Sequence, residues 1–536
     1  MIMKKLNIKS YIYILSFALA AGATSCVNDL NVKPIDPSVT QTFNQDAVFA
    51  KIYASMALTG QQGPAGTPDL DASYIDEGTS AFIRLLWNFN ELASDEAICS
   101  WGDPGISEMN FCTWTSSHQQ LKGLYGRLYF IVTLTNHFLE QTDGLTDDKT
   151  VKQRAEARFV RALGYYYLLD LFGNVPFTTV VSTEAPEQIQ RASLYSWIES
   201  ELLAIEPDLY DVKQAPYYRV DKAADWLLLS RLYLNAKVYT GTAQWDNAAI
   251  YAKKVIDSGY TLASKYKYLF MADNAGSIDG SSVNDAPNEI ILPLAADGVK
   301  TYSYGSSLFL IASTHTSGMD NWGSTEGWGG NRARAALVKK FFPEGISVTD
   351  SATLATGLPG LADDDRALFF AYKRTTEIEK YSVFKQGLSV AKWTNVRADG
   401  GQTSDIRWVD TDVPFMRAAE AYLTYAEAVL RGGATVEGYA ALTAVNALRI
   451  RANAKQITTI DLDGLLDEWS REFYFEGRRR SDLIRFGDYG GSSYNWDWKA
   501  GIAAGSQFSS TYNLMPIPSS DMNANPNLLQ NEGYGN

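Results

Sequence analysis

Two kinds of residue in this chain of 536 are capable of chemistry: crowded carboxylates, and aromatic rings set beside glycines. Asp69, Asp71, Asp76 and Glu77 fall within 69–77, and Asp363, Asp364 and Asp365 are consecutive. Paired carboxylates flanking a glycosidic bond hydrolyse it, one as acid and one as nucleophile or base. Asp69 with Asp76, or two of the 363–365 acids, would be the pair here. Acids so crowded also suit calcium, but the EF-hand spacing is absent, so 61–80 is expected to be a solvated acidic loop. His118, His137 and His315 stand far apart, which argues against a zinc-type metal site. Tyr304, Trp322 and Trp328 sit beside glycines in segments without helical periodicity. A flat ring covers the apolar C–H face of a pyranose and excludes water from it. A single aromatic is ordinarily a core residue, but a glycine-flanked loop argues for exposure.

Something must hold these loops, and the rest of the chain reads as helices. Over 154–172, Ala155, Phe159, Ala162, Leu163, Tyr166 and Leu169 recur at three- and four-residue steps and share a face. Arg154, Glu156, Arg158 and Arg161 are expected to keep the opposite side wet, and from Tyr165 to Phe172 the pattern is apolar nearly all round. Gly173 and Pro176 form the stop. Further helices are expected at 46–60, 81–92, 118–140, 193–205, 221–239, 244–257, 416–431, 438–452 and 464–480. The segments beginning at Ala223 and Arg417 alternate small residues with Leu and Tyr, each followed by a second amphipathic helix. That is the pattern of tetratricopeptide-like helix pairs, here degenerate. The fold is therefore expected to be mostly α, a helix-pair scaffold broken by long loop-rich insertions, the largest at 271–412. Long loops on a helical frame commonly carry function. The block 467–487 alternates acids with Arg471, Arg478, Arg479, Arg480 and Arg485, and reads as a helix whose charges pair at i, i+3 and i+4.

Aromatic residues make up 12% of the chain, with 31 Tyr and 13 Trp, and the formal charge is −14. An acidic chain of this kind is not a nucleic-acid partner. Lys4, Lys5 and Lys9 followed by the apolar run Tyr11–Ala21 read as a signal peptide over 1–25. Cys26 follows the small residues Ala23, Thr24 and Ser25, the position where a bacterial lipoprotein is cleaved and acylated. The division expected is leader 1–25, lipidated tether 26–45, and one domain 46–536. Cys99 and Cys112 are either a short-range disulfide or two buried thiols; the loop content of 100–111 leans toward the bridge.

The stretch Arg158-Phe159-x-Arg161-Ala162-x-x-Tyr165-Tyr166-x-Leu168-x-Asp170-Leu171-Phe172-Gly173-x-x-Pro176 closely resembles the motif of the SusD/RagB family of glycan-binding lipoproteins of the Bacteroidetes outer membrane. So do the 467–487 block and the end of the chain, Met515-Pro516-Ile517-Pro518 with Asn525-Pro526-Asn527. The resemblance implies a non-catalytic cell-surface protein without a cofactor, anchored through Cys26, that captures glycan and passes it to a SusC-like TonB-dependent transporter. Blocks such as Thr67-Pro68-Asp69-Leu70-Asp71 and Asp297-Gly298-Val299-Lys300-Thr301 are nearer to starch-binding members. The resemblance then implies an α-glucan site of Trp101, Tyr304 and Trp328 with Arg84 as a polar contact; Trp322 is an extra ring. Cys99 stands where the starch binders carry a second Trp, and Gly102-Asp103-Pro104 replaces a segment with a binding Asn. Linkage preference therefore stays open between starch-like and dextran-like or mixed α-glucans. A glycoside hydrolase and a protein-binding scaffold are the other readings.

Overall fold

The computed structural model describes residues 43–276 and 283–535. The expected leader, Cys26 and nearly all of the tether lie outside the described residues. The helix Gln45–Ala57 is the first of the described chain, and Phe49–Asn536 form one compact unit.

The long helix runs Asp148–Leu171. Asp147 caps it, accepting from Thr150 N at 3.1 Å, which satisfies one of the free N–H groups of the first turn. Its end is the expected one: Gly173 has φ +77, and both Phe172 N and Gly173 N donate to the Leu168 carbonyl. The expected wet side is wet only in part, at Arg154 and Arg158. Glu156 is fully buried and Arg161 nearly so. Glu156 accepts from Tyr53 Oη at 2.6 Å and Arg219 Nε at 2.9 Å. Arg158 and Arg161 share Glu201 at 2.8 and 2.9 Å. The helix Arg191–Ile205 and the segment around Arg219 cover part of that side, and the buried Glu156 and Arg161 each have a counter-charge, the condition for tolerating a charge away from water.

Consecutive helices pack in pairs, as the degenerate repeat predicts. Gln119–Gln141 lies on Asp148–Leu171, which lies on Arg191–Ile205; Lys222–Leu234 packs on Trp245–Ile256, that on Ala419–Leu430, and that on Ala441–Arg451. No helix among the described residues is long and apolar enough to cross a membrane.

The loop-rich insertion is closed at its base. Strand Ile290–Leu294 pairs antiparallel with Val413–Arg417, Leu294 opposite Val413 and Ile290 opposite Arg417. Beneath this ribbon lies a buried ion network. Arg417 contacts Glu289 at 2.9 Å, Glu472 at 2.7 Å and Glu476 at 2.8 Å, and Arg451 reaches Glu289 at 2.7 Å. Burial opposes ionisation of Glu472, but Arg451, Arg417 and Arg366 outweigh it and hold its carboxyl well below the usual range. The 467–487 block is thus not one helix paired along itself. It breaks between Leu462–Phe473 and Arg479–Phe486, where Phe475 and Gly477 take φ +61 and +78 and Glu91 accepts from Gly477 N and Arg478 N at 2.6 and 3.1 Å. A few pairs remain local, such as Arg478 with Asp482. Most reach across the fold, as Arg479 to Asp95 at 2.7 Å and Arg485 to Glu427 at 2.7 Å.

The leaning toward a disulfide is also overturned. Cys99 and Cys112 are buried free thiols, pushed up by burial to about 12 and about 11. Cys112 Sγ sits 3.3 Å from Tyr489 Oη, and the Asn110 side chain bonds Cys99 through both backbone N and O, at 2.9 and 2.8 Å.

Candidate functional site: an aromatic cleft on the loop face

Backbone pairing brings the far-separated rings together. Strand Ala97–Cys99 runs antiparallel to Asn331–Ala333, with Cys99 opposite Asn331. The register continues one step, Ser100 N donating to Gly330 O at 3.0 Å, so Trp101 and Trp328 emerge from adjacent strand ends. Gly330 has φ +98, and a Cβ there would fall 2.1 Å from Trp101 Nε1. Only glycine lets the indole lie this close to the backbone. Trp328 is fixed by its own N–H, which donates to Ala312 O at 2.7 Å. A second close approach sets Tyr304 beside Arg84. A Cβ on Gly305 would meet Ala81 Cβ at 2.2 Å and Gly78 O at 2.3 Å, while Gly305 O accepts from Arg84 N at 3.0 Å.

These elements enclose an open cleft of about 450 Å³ lined by Asp76, Glu77, Arg84, Trp101, Asp103, Tyr304 and Trp328, among others. The rings form a row. Tyr304 and Trp328 centroids are 6.4 Å apart at 43°, and Trp328 and Trp101 are 6.4 Å apart at 59°. All three are half-buried, so each is held on one side and open on the other. The Arg84 guanidinium lies 5.7 Å from the Trp101 ring and 5.2 Å from Phe309, and it makes no ion pair with a described residue. Burial lowers its pKa, opposed by Asp76 and Asp103. Glu77 is raised, chiefly by burial; its carboxylate accepts from Ala65 N at 2.9 Å. Fixed rings with free donors at their edge suit a ligand that is apolar on its faces and hydroxylated at its rim.

The acidic loop is only partly the solvated one expected. Asp69 is held by Lys51 at 2.8 Å and Arg127 at 3.0 Å, while Asp71 is exposed and Asp76 and Glu77 turn to the cleft. Asp364 is buried against Arg366 at 2.8 Å and lines a different pocket from the aromatic cleft. Among the described residues no group of histidine, cysteine and carboxylate side chains could hold a metal ion.

Trp101, Tyr304, Trp328 and Arg84 are brought together; Trp322 is not among the residues lining the cleft. It packs on the buried His315 ring at 5.3 Å, and its N–H donates to Glu326 O at 2.7 Å. Sequence reasoning missed the clamp behind Tyr304. Arg407 donates to Tyr304 Oη at 2.7 Å and pairs with Glu326 at 2.7 Å. Glu326 in turn accepts from Trp328 Nε1 at 2.6 Å, and Trp408 meets Tyr304 edge-on at 5.0 Å. The one signal for this clamp was an Arg-Trp pair in the loop-rich insertion, and nothing local in it points to Tyr304.

The frame of helix pairs with an aromatic cleft on its loops is that of a SusD-type protein, and the chain belongs to the SusD family. The model described as "SusD family" matches residues 364–534, and the model described as "Starch-binding associating with outer membrane" matches 30–234. Neither describes a catalytic activity. The chain is 44% identical to the starch-binding protein SusD of Bacteroides thetaiotaomicron, covering 96% of this chain and 97% of that one. Among solved structures, the surface glycan-binding protein A of Bacteroides fluxus matches with TM-score 0.66 at 19% identity, covering 92% of this chain and 100% of that one. The Bacteroides thetaiotaomicron protein of that name, in complex with laminarihexaose, matches with TM-score 0.65 at 18% identity over 91% and 98%. At these identities the two structural likenesses show the fold.

Proposed function

We propose that this protein is a non-catalytic glycan-binding protein whose ligand is starch or a related α-glucan oligosaccharide. The observation that carries the reading is the row Tyr304–Trp328–Trp101, whose rings are tilted by 43° and 59° from one to the next. A curved row of faces matches a curved chain better than a straight one, and each ring contact contributes about 0.5–1.5 kcal/mol, by analogy with aromatic pairs. Arg84 supplies hydrogen bonds to hydroxyls at the rim. In this reading Trp322 steadies the loop that carries Trp328. The identity to a starch-binding relative supports the choice of α-glucan. The change at Asp103, which lines the cleft, leaves a dextran-like or mixed-linkage α-glucan as the second ligand class.

Binding without hydrolysis is favoured because Asp69 and Asp364, two of the acids a hydrolase would use, are committed to arginines and lysine. Attachment at the outer membrane through a lipid on Cys26, and delivery to a SusC-like TonB-dependent transporter, complete the proposal; the outer-membrane description of the matched family model supports the location. The test is incubation of the purified protein with starch and with dextran. Depletion of polysaccharide without new reducing ends supports the reading. Reducing ends that disappear in Asp76→Asn would overturn it.

A further inference from the structure

Beyond the cleft, on the Trp101 side, the segment 381–387 presents two exposed apolar residues, Phe384 at 46% and Val383 at 38% exposure. An exposed phenylalanine on a floppy loop would mean little. This loop is fixed from beneath by two arginines, neither of which has an ion-pair partner among the described residues. Arg332 is fully buried. Its guanidinium donates to the carbonyls of Tyr381 at 2.6 Å, Val383 at 2.5 Å and Gln386 at 2.9 Å. Arg374 donates to Gly387 O at 2.9 Å and to Phe384 O. Burying a cation with only carbonyl partners is costly, and here both terminal nitrogens of the fork go into holding one short loop.

The same loop is continuous with the cleft. Arg332 Nε donates to Gly330 O at 3.1 Å, so one guanidinium spans the glycine under Trp101 and the backbone that carries Phe384. A Cβ on Gly329, the residue after Trp328, would lie 3.6 Å from Phe384 Cδ1. Ser100, the residue before Trp101, donates its hydroxyl to Tyr381 O at 2.9 Å. The loop that carries Phe384 is therefore held against the segments that carry Trp328 and Trp101. Val383 and Phe384 are flanked by the exposed polar residues Ser382 and Lys385, so the exposed apolar surface is two side chains rather than the broad patch of a protein interface.

We propose that Phe384 is an outer subsite that stacks on a further sugar unit of the same glycan chain, after that chain has left the row Tyr304–Trp328–Trp101. The inference rests on the α-glucan reading of the cleft and adds to it a preference for chains longer than the cleft itself holds. Calorimetry with maltotriose and maltoheptaose tests it, on the wild type, Phe384→Ala, Phe384→Trp and Trp328→Ala. Phe384→Ala is expected to weaken maltoheptaose by about 3- to 10-fold, the range for one ring contact, and to leave maltotriose unchanged. Phe384→Trp is expected to keep the preference for the longer chain. Equal effects of Phe384→Ala on both sugars, or none on either, would overturn the subsite while the cleft reading stands, provided Trp328→Ala loses both. Unchanged binding in Trp328→Ala, or a wild type that binds neither sugar, overturns the cleft reading and the subsite with it.

Discussion

Trp101 lies directly over Gly330: a Cβ on that glycine would fall 2.1 Å from the indole Nε1, and the residue holds φ +98. Position 330 is thus where backbone conformation and the aromatic row of the cleft meet. Gly330→Ala must both strain the backbone, by about 1–2 kcal/mol, and push the indole out of the row. We expect a lowered melting temperature together with weakened α-glucan binding. An alanine variant that binds as the wild type does would show that Trp101 is not held by this contact.

Trp328 is the middle ring, 6.4 Å from each neighbour. Trp328→Ala removes the contact on which the other two depend for a continuous surface. Retention in a starch-containing affinity gel is expected to be lost. Because Trp328 is only half-buried, the melting temperature is expected to stay nearly unchanged; a large fall would mark the ring as structural.

Arg407 separates positioning from contact. It holds Tyr304 Oη at 2.7 Å and Glu326 at 2.7 Å, and Glu326 holds the Trp328 indole. Arg407→Ala frees both rings at once, and Tyr304→Phe cuts only one strand of the clamp. Calorimetry is expected to give a larger loss of affinity for Arg407→Ala than for Tyr304→Phe, the latter about the value of one hydrogen bond, 0.5–1.5 kcal/mol. The reverse order would mean that the tyrosine hydroxyl touches ligand directly.

Asp412 gives the fold a pH signature. It is fully buried, and burial pushes its carboxyl up to about 8, against the hydrogen bond from Ala296 N at 2.8 Å. The folded value is thus above the unfolded one of about 3.9, so the folded chain binds the extra proton between them. This group's contribution is fully present below about 3.9 and is lost as pH rises toward about 8, at up to about 1.4 kcal/mol per pH unit. Asp412→Asn is expected to be more stable than the wild type near neutral pH, with a flatter pH dependence in denaturant melts. No difference in slope would place the titration elsewhere.

Glu472 works in the opposite sense. Its carboxyl is held low by Arg451, Arg417 and Arg366 despite burial, so its stabilisation is present above the unfolded carboxylate value and lost as pH falls below it. Glu472→Gln leaves three buried arginines short of a charge and is expected to cost about 3–5 kcal/mol in denaturant unfolding. A cost below about 1 kcal/mol would show that Glu289 and Glu476 suffice.

The sequence by itself determined the local elements and the mostly helical frame. The helix over 154–171 and its stop at Gly173 follow from spacings of a few residues, and such spacings are readable because a helix repeats its contacts every turn. The glycine-flanked setting that singled out Tyr304 and Trp328, which line the cleft, singled out Trp322 equally, which does not. Only the tertiary structure decided which residues meet. Trp101 reaches Trp328 through a strand pairing, Arg407 reaches Tyr304 across the insertion, and Glu472 gathers arginines from three distant segments. The supposedly wet residues Glu156 and Arg161, and the acids of 467–487, misled because a charge pattern does not say whether its counter-charge is a helical turn away or on another element. Burial with a partner from elsewhere leaves no period in the chain, since that partner is fixed by packing and not by spacing.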